Sequence, residues 1–204
     1  MGQRLVINIK KKGEDKILAN CYYHWSAYTQ PSLRLVEDII SNSYTILSNK
    51  KDTDKIKAIE LLQSVGSGLE EEEYNTLESE EKKYCRIGRD RNVGLICITE
   101  KGIEDNLMYG EEFVTIEFDF DNVSLFNENI TIDFGVYWVT TKENFLEEEK
   151  DIKIEDLVEF DFNLYNMNHK NIIELYNKID YIENNCSGKF RMKGDKERIY
   201  CSIY

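Results

Sequence analysis

"RLVINIKKKGEDKILANCYYHW", residues 4 to 25, decides the fold because it contains two extended segments joined by a short polar turn. In the first segment Leu5, Ile7 and Ile9 fall on one face, since side chains alternate between the two faces of a strand. The second segment, residues 16 to 25, also has the composition of a strand, and the joint contains Gly13. The sequence therefore predicts an N-terminal β-hairpin with a loop of about five residues.

Two helices are predicted after the hairpin. The first has Thr29 or Ser32 near its cap and Pro31 in its first turn, where a missing N–H is harmless. The second begins near Thr53 and stops at "GSG", residues 66 to 68. Apolar residues at helical spacing should face the core: Leu35, Val36, Ile39, Ile40 and Leu47, then Ile56, Ile59, Leu62 and Val65.

The stretch "LEEEEYNTLESEEKKY", residues 69 to 84, has many charges and few apolar anchors. We predict a charged helical or mobile excursion over about residues 66 to 88. It would project from a single α+β domain spanning residues 1–204, a length that can bury a self-sufficient core.

The second half of the chain changes to a period of two, which is typical of half-buried strands. Strands are predicted at 94–99, 112–120, 122–126, 130–140 and 157–163. One more amphipathic helix, capped by Asn168, and a closing hairpin complete the order. This order favours an α+β fold with a largely antiparallel sheet or sheets, two or three helices in the first half and one near the C-terminus.

Composition sets broad limits. The chain is 41% hydrophobic and 12% aromatic and has no long apolar run, which excludes general disorder and a membrane span. The first residues contain neither a signal peptide nor a myristoylation motif, so we expect a cytoplasmic protein. The five cysteines are scattered with no CxxC pair, which favours buried reduced thiols over disulfides or zinc.

The chain is strongly acidic, with 39 Asp and Glu against 26 Lys and Arg and a formal net charge of -13. Such a surface repels nucleic acid and anionic lipid, whose binding normally requires Lys and Arg. The expected macromolecular partner is therefore a basic protein surface.

Two predicted strands carry carboxylates on one face. These residues are Glu117, Asp119 and Asp121 on one strand, and Glu159 and Asp161 on the other. Same-face positions lie about 7 Å apart and DNA phosphates roughly 3.4 Å apart, so two such ladders side by side would approach the charge density of one DNA strand. The faces are either solvated or a nucleic-acid mimic. We expect no metal, since alternate strand positions diverge too far to close around one ion, and no cofactor.

An arginine island and an aromatic segment are candidates for ligand binding. The island "CRIGRDRNVG", residues 85 to 94, either pairs locally with acidic neighbours or clamps a phosphate or carboxylate. The aromatic segment "YYHWSAYT", residues 22 to 29, is either sheet core or a ring platform. The two together would suit a nucleotide if they met in space. The residues concerned are Tyr22, His24, Trp25, Arg86, Arg89 and Arg91.

Motifs that would identify an enzyme are missing from the sequence. It has no P-loop, GxSxG, HExxH or zinc spacing. An N-terminal nucleophile hydrolase exposes Cys, Ser or Thr as residue 1, whereas Gly2 follows Met1 here. We therefore predict no catalytic residue and no enzymatic activity, even if that architecture is shared.

Three segments resemble a group of uncharacterised proteins carried by phages and prophages of Gram-positive bacteria. They are "MGQRL" at 1–5, "ANCYYHWSAYT" at 19–29 and "RDRNVGLICITEKGI" at 89–103. The resemblance covers about the first half of the chain and comes with no activity. A small acidic phage protein without catalysis is similar in kind to inhibitors of bacterial immunity, including anti-CRISPR proteins.

Two functional hypotheses follow. The first is a non-enzymatic phage inhibitor of a host defence effector, acting through the acidic strand faces. The alternative is a module that sequesters a nucleotide signal with the aromatic segment and the arginine island, or a hydrolase-like fold without its nucleophile.

Overall fold

The computed structural model describes residues 4–25, 29–50, 52–123, 130–135, 158–161, 168–174, 177, 189–193 and 198–202. In those ranges no helix combines the length and the apolar character needed to cross a bilayer. The predicted strand segments at 124–126, 136–140, 157 and 162–163 lie outside the described residues, and residues 122–123 are described but do not form a strand.

A mixed six-stranded sheet is the centre of the fold, with strand order β3-β4-β2-β1-β5-β6. The strands are β1 (Leu5–Lys11), β2 (Ile17–Tyr23), β3 (Gly68–Leu69), β4 (Leu95–Cys97), β5 (Glu112–Phe118) and β6 (Thr131–Gly135). The predicted hairpin is confirmed, with β1 antiparallel to β2 and Gly13 in the turn at φ 80°. The pairs β1–β5 and β3–β4 are parallel, whereas β2–β4 and β5–β6 are antiparallel.

A second sheet has three strands, β7 (Val158–Asp161), β8 (Lys189–Lys193) and β9 (Arg198–Ser202). β7 is parallel to β8, and β8 is antiparallel to β9. The last two strands correspond to the predicted closing hairpin.

The helices in the first half are α1 (Thr29–Leu47), α2 (Asp54–Gln63), α3 (Glu71–Asn75) and α4 (Glu100–Tyr109), with a 3-10 turn at Glu81–Tyr84. The Thr53 hydroxyl oxygen caps α2 by accepting a hydrogen bond from the backbone N–H of Ile56 at 3.3 Å. A further helical segment covers residues 169–174, where the Asn168 side chain accepts from the backbone N–H of Asn171 at 3.1 Å. The α+β fold class is confirmed.

The two faces of the main sheet differ in what covers them. Leu5, Ile7 and Ile9 belong to the apolar cluster that also contains the buried residues of α1 and α2. Because side chains alternate along a strand, Val6 lies on the opposite face. Gly110, which follows α4, packs so closely there that a Cβ built on it would lie 2.7 Å from Val6. α1 and α2 therefore cover one face of the sheet, and α4 covers part of the other.

Residues 66 to 88 contribute to the main sheet and to its packing. β3 lies within this stretch and pairs with β4, and Leu69 is fully buried. Glu73 in α3 is buried as well, although most of its neighbours are exposed. Helical character is limited to α3 and the 3-10 turn.

The helix α4 lies where our sequence interpretation assigned no element. Most of its residues are polar, and Ile103 is its buried apolar residue. The available signals were Thr99 at the cap position and Gly110 immediately after the last turn. Because α4 forms one wall of the site described below, this omission also hid several site residues.

Candidate ligand-binding site

A cavity of about 420 Å³ lies between α4 and the uncovered part of the main sheet. One wall of the cavity is the sheet. It is lined by Tyr22 in β2, by His24 immediately after β2, and by Leu95 and Cys97 in β4. These residues alternate with buried core positions, so they belong to the face opposite α1 and α2. The volume lies within the range of roughly 300–1,000 Å³ that is usual for small-molecule sites.

The helix wall of the cavity comes from one face of α4. Gly102, Asp105, Asn106 and Tyr109 line it, at positions i, i+3, i+4 and i+7. Residues at this spacing share one side of an α-helix. The whole row therefore faces the sheet, and a glycine at the first position lets the helix approach closely.

A buried carboxylate fixes the start of α4. One Glu73 oxygen, Oε2, accepts hydrogen bonds from the backbone N–H groups of Ile98 and Thr99, both at 2.8 Å. The other, Oε1, accepts from the Thr99 hydroxyl at 2.6 Å, while the Thr99 oxygen accepts from the backbone N–H of Gly102 at 3.1 Å. Glu73 thus satisfies donors at a helix N-terminus, where a negative charge is favoured.

A pair of asparagines ties the helix wall to the sheet. The Asn20 amide donates to the backbone carbonyl of Ile103 at 3.1 Å, and the Asn106 amide donates to the Asn20 side-chain oxygen at 2.9 Å. Asn20 is fully buried, so losing either bond would leave a buried polar group unpaired. The helix wall of the cavity is therefore firmly attached to the sheet.

Tyr22 and His24 form a ring pair on the sheet wall. The Tyr22 hydroxyl lies 3.0 Å from Nδ1 of His24, and the ring centroids are 6.2 Å apart. Burial raises the pKa of the Tyr22 hydroxyl, an effect that the nearby Arg4 and Arg91 guanidinium groups partly offset. Tyr22 therefore keeps its proton, and when it donates to Nδ1 the ring proton of neutral His24 sits on Nε2.

The aromatic segment and the arginine island meet in space. The backbone N–H of His24 donates to the backbone carbonyl of Arg91 with an N···O distance of 3.0 Å. The Arg91 side chain lines the cavity, 4.0 Å from the Glu70 carboxylate and 66% exposed. The condition that our sequence interpretation set for a nucleotide site is thereby met by Arg91.

The loop that carries Arg91 is a tight turn built on Asp90. The Asp90 carboxylate accepts from the backbone N–H of Asn92 at 2.9 Å, and its carbonyl accepts from Val93 and Gly94, both at 3.2 Å. Gly94 has φ of 108°, which favours glycine. A Cβ there would also lie 2.5 Å from the Ser67 hydroxyl oxygen, so the space for a side chain is missing as well.

Arg4 closes another side of the cavity. Its guanidinium lies 3.6 Å from the Glu111 carboxylate and donates to the backbone carbonyl of Tyr109 at 3.3 Å. Our sequence interpretation did not single out Arg4, because a lone arginine at the start of a strand has no local pattern. The cavity thus contains two guanidinium groups, from Arg4 and Arg91, and two carboxylates, from Glu70 and Asp105.

The other predicted ligand-binding residues lie elsewhere. The Arg86 guanidinium donates to the backbone carbonyls of Ser67, at 3.0 Å, and Gln63, so it closes the C-terminal end of α2. Arg89 lies in an adjoining groove with Glu71 and Glu72, which shares Glu70, Arg91 and Leu95 with the cavity. Trp25 stacks edge-to-face on His24 at 5.1 Å and is 52% exposed, but it does not line the cavity.

The acidic residues predicted to contact a partner are not arranged as two neighbouring ladders. Glu117 pairs with Lys10 at 3.0 Å and Asp121 pairs with Lys11 at 3.1 Å. The β5 strand ends at Phe118, and the Asp119 carboxylate accepts from the backbone N–H groups of residues 121 and 122 in a turn. A coherent acidic field on β5 therefore has less physical basis than the sequence suggested.

The second acidic strand belongs to the other sheet. Glu159 and Asp161 lie on β7, which pairs with β8, whereas β5 pairs with β1 and β6. The two strands are therefore not hydrogen-bonded neighbours. Whether any of these five acidic residues contacts a partner stays a prediction.

Burial raises the pKa of two cysteine thiols, Cys97 at the cavity and Cys21 on the opposite face of the sheet. Burial raises the pKa of Cys21 to about 12, with smaller opposing effects from Ser67 and Tyr23. Burial also raises the pKa of Cys97, which lines the cavity. A thiol with a raised pKa is a poor nucleophile, because the thiolate is the reactive form.

Within the described ranges, no group of three His, Cys, Asp or Glu side chains is placed to hold a metal ion.

The fold and the cavity define an α+β protein with a mixed sheet and a small polar and aromatic site between that sheet and one helix. Comparison of the chain with protein-family models, curated proteins and solved structures found no match.

Proposed function

We propose that this protein binds a small anionic ligand that joins a flat ring to a phosphate, which is the chemistry of a nucleotide, and holds it without transforming it. In a phage or prophage setting, such a module would sequester a nucleotide signal. The observation that carries the proposal is the 3.0 Å hydrogen bond between the His24 N–H and the Arg91 carbonyl, because it brings rings and guanidinium together.

The ring part of the ligand would contact the sheet wall. Tyr22 is only 6% exposed, so its ring is held firmly, and its hydroxyl contacts the neighbouring imidazole of His24. A ring buried to this degree offers little of its face for stacking, so Tyr22 would contact the edge of a bound base. The stacking face would come from Tyr109, at the other end of the α4 row, which is 58% exposed. Stacking of a base on an aromatic ring is worth about 1–3 kcal/mol.

The phosphate would contact Arg91. Its only ion-pair partner among the described residues is Glu70, at a distance of 4.0 Å that is too long for a strong bond. A phosphate can replace this contact with a bidentate, charge-assisted pair. The Arg4 guanidinium is already bound to Glu111 and to the Tyr109 carbonyl. It therefore adds positive potential to the cavity, whereas Arg91 supplies the hydrogen-bond donors for the phosphate.

Binding without catalysis is supported by the state of the nucleophiles at the cavity. Burial raises the pKa of both the Cys97 thiol and the Tyr22 hydroxyl, so each keeps its proton near neutral pH. A neutral thiol or phenol needs an adjacent base to attack a phosphate or carbonyl. His24 Nδ1 does lie 3.0 Å from the Tyr22 hydroxyl, so the support for binding without catalysis comes from the Cys97 thiol.

Calorimetry and thermal shift against a panel of nucleoside mono-, di- and triphosphates test the proposal. Saturable binding should stabilise the fold by about 2.7 kcal/mol at a ligand concentration one hundred times Kd. Arg91→Ala should abolish most of this effect. Arg89→Ala is the matched control, since Arg89 lies in the same loop but lines only the adjoining groove. A flat panel, or equal losses in both variants, would remove the proposal.

Inhibition of a defence effector through an acidic surface is a second candidate, favoured by the net charge of -13. Affinity capture from a phage-infected host should then recover a basic, nucleic-acid-binding effector. Its binding should weaken steeply with rising salt, and again when Glu117, Asp119 and Asp121 are changed to amides. Binding that is indifferent to both changes would exclude this mode of action.

A further inference from the structure

We infer that the ring held in the cavity is a guanine and that Asp105 is the residue that selects it. This inference rests on the proposed function, since it names the class of nucleotide for the same site. Asp105 lies on the helix wall, three residues after Gly102, and is partly exposed to the cavity.

Asp105 is the polar group of the helix wall that is left to contact a ligand. Its neighbour Asn106 donates to Asn20, a bond that fixes the amide against the sheet. Tyr109 offers a ring, and its backbone carbonyl already accepts from Arg4. The described part of the chain supplies no hydrogen bond or ion pair to the Asp105 carboxylate, whereas Glu70, Arg91 and Arg4 each have a charged partner.

A carboxylate can only accept hydrogen bonds, so it selects a ligand edge that offers donors. Guanine presents two adjacent donors, the ring N1–H and the exocyclic amine, which match the two oxygens of one carboxylate. Adenine presents its amine beside an unprotonated ring nitrogen, and uracil places its single N–H between two carbonyl oxygens. Both of those edges would set an acceptor against the carboxylate.

The charges at the cavity are consistent with a ligand that has a donor edge and an anionic end. Arg91 lies on the loop that leads into β4, and Asp105 lies on the helix wall of the same cavity. A guanine nucleotide can therefore place its phosphate on Arg91 and its base edge on Asp105. Once a bound base excludes water from Asp105, an analogue that lacks the partner group leaves the carboxylate unpaired and binds more weakly.

Titration calorimetry with GMP, IMP and AMP tests this inference, because IMP differs from GMP only by the missing exocyclic amine. GMP should bind at least about tenfold more tightly than IMP or AMP. Asp105→Asn should lower the affinity for GMP by at least about tenfold and that for IMP by much less. Glu104→Gln, an exposed neighbour on the same helix, is the matched control and should bind GMP like the unchanged protein.

The outcomes separate the two proposals. If all three nucleotides bind equally and Arg91→Ala weakens them all, the nucleotide site stands and the guanine inference is overturned. If Asp105→Asn binds GMP as well as the unchanged protein does, the role of Asp105 is overturned. If no nucleotide binds, or if a free amino acid such as arginine binds instead, both proposals fail. Thermal unfolding of each variant shows that the fold is retained.

Discussion

Glu73 and Thr99 are joined by two hydrogen bonds, one from the Thr99 hydroxyl at 2.6 Å and one from its backbone N–H at 2.8 Å. The carboxylate is buried, although it belongs to a run of four glutamates whose other members are at least partly exposed. One residue of an acidic cluster thus holds the first turn of α4, and with it the helix wall of the cavity.

Glu73→Gln should lower the free energy of unfolding by about 2–3 kcal/mol, because the amide nitrogen cannot accept the donors that the carboxylate satisfies. Urea denaturation followed by circular dichroism measures this loss. Glu72→Gln is the control, since Glu72 is exposed, and it should stay within about 0.5 kcal/mol of the unchanged protein. Equal losses in the two variants would contradict the capping role.

Gly102→Ala should destabilise the protein by about 1–3 kcal/mol, although alanine is the better helix former. A Cβ at this position would collide with Oε1 of Glu73 and lie 3.0 Å from the Cβ of Cys97. Lys101→Ala, at the exposed neighbouring position, should have little effect. A Gly102→Ala protein that melts at a higher temperature would show that α4 does not pack this closely.

Arg86→Ala should cost about 1 kcal/mol of stability, because the guanidinium closes carbonyls at the C-terminal end of α2. It should leave ligand affinity unchanged. Arg91→Ala should do the reverse, with a clear loss of affinity and little loss of stability. Denaturant unfolding and calorimetric binding should be measured for both variants. A loss of affinity in Arg86→Ala, or a loss of stability alone in Arg91→Ala, would contradict these roles.

Stability should fall as pH rises from about 4.5 to about 7, through the titration of Glu112. Burial, together with a smaller effect of the neighbouring Glu111 carboxylate, raises the pKa of this carboxyl to about 7. The folded state therefore holds a proton that the unfolded state releases, so the contribution is present at low pH and lost on deprotonation. After allowance for partial exposure, we expect a loss of about 1 kcal/mol.

The check is denaturant unfolding at pH 5 and pH 7.5 for the unchanged protein and for Glu112→Gln. Because the amide does not titrate, the free energy of unfolding of Glu112→Gln should fall about 1 kcal/mol less between these two pH values than that of the unchanged protein. Glu14→Gln, in the exposed hairpin turn, should retain the full pH dependence. A Glu112→Gln profile parallel to that of the unchanged protein would mean that this carboxyl is not the source.

Local patterns predicted the local structure. Alternation in residues 5 to 9 and the polar joint at Gly13 gave the hairpin, and helical spacing with Thr53 as cap gave α2. Pairings between distant segments were not predictable in this way. β1 lies parallel to β5, more than one hundred residues away, because both strands bury apolar side chains on the same face, and nothing within either strand names the other.

The site could be predicted only in part for the same reason. Tyr22, His24 and Arg91 stand out as residue types, but their meeting depends on the pairing of β2 with β4. Asp105 and Asn106 were missed because α4 has a short apolar signal and a glycine in its first turn. Arg86 and Arg91 look equivalent in the sequence, and only the position of the α2 end separates a structural arginine from a ligand-facing one.

The rigid turn that ends at Gly94 reduces the conformational entropy that is lost when Arg91 binds a ligand. Its backbone is already locked by the Asp90 hydrogen bonds and by contact of Gly94 with the protein interior. Arg91 would therefore give up only the rotamer freedom of one side chain on binding, about 0.5–1.5 kcal/mol. A loop that had to become ordered would lose about 1–2 kcal/mol for each backbone residue fixed.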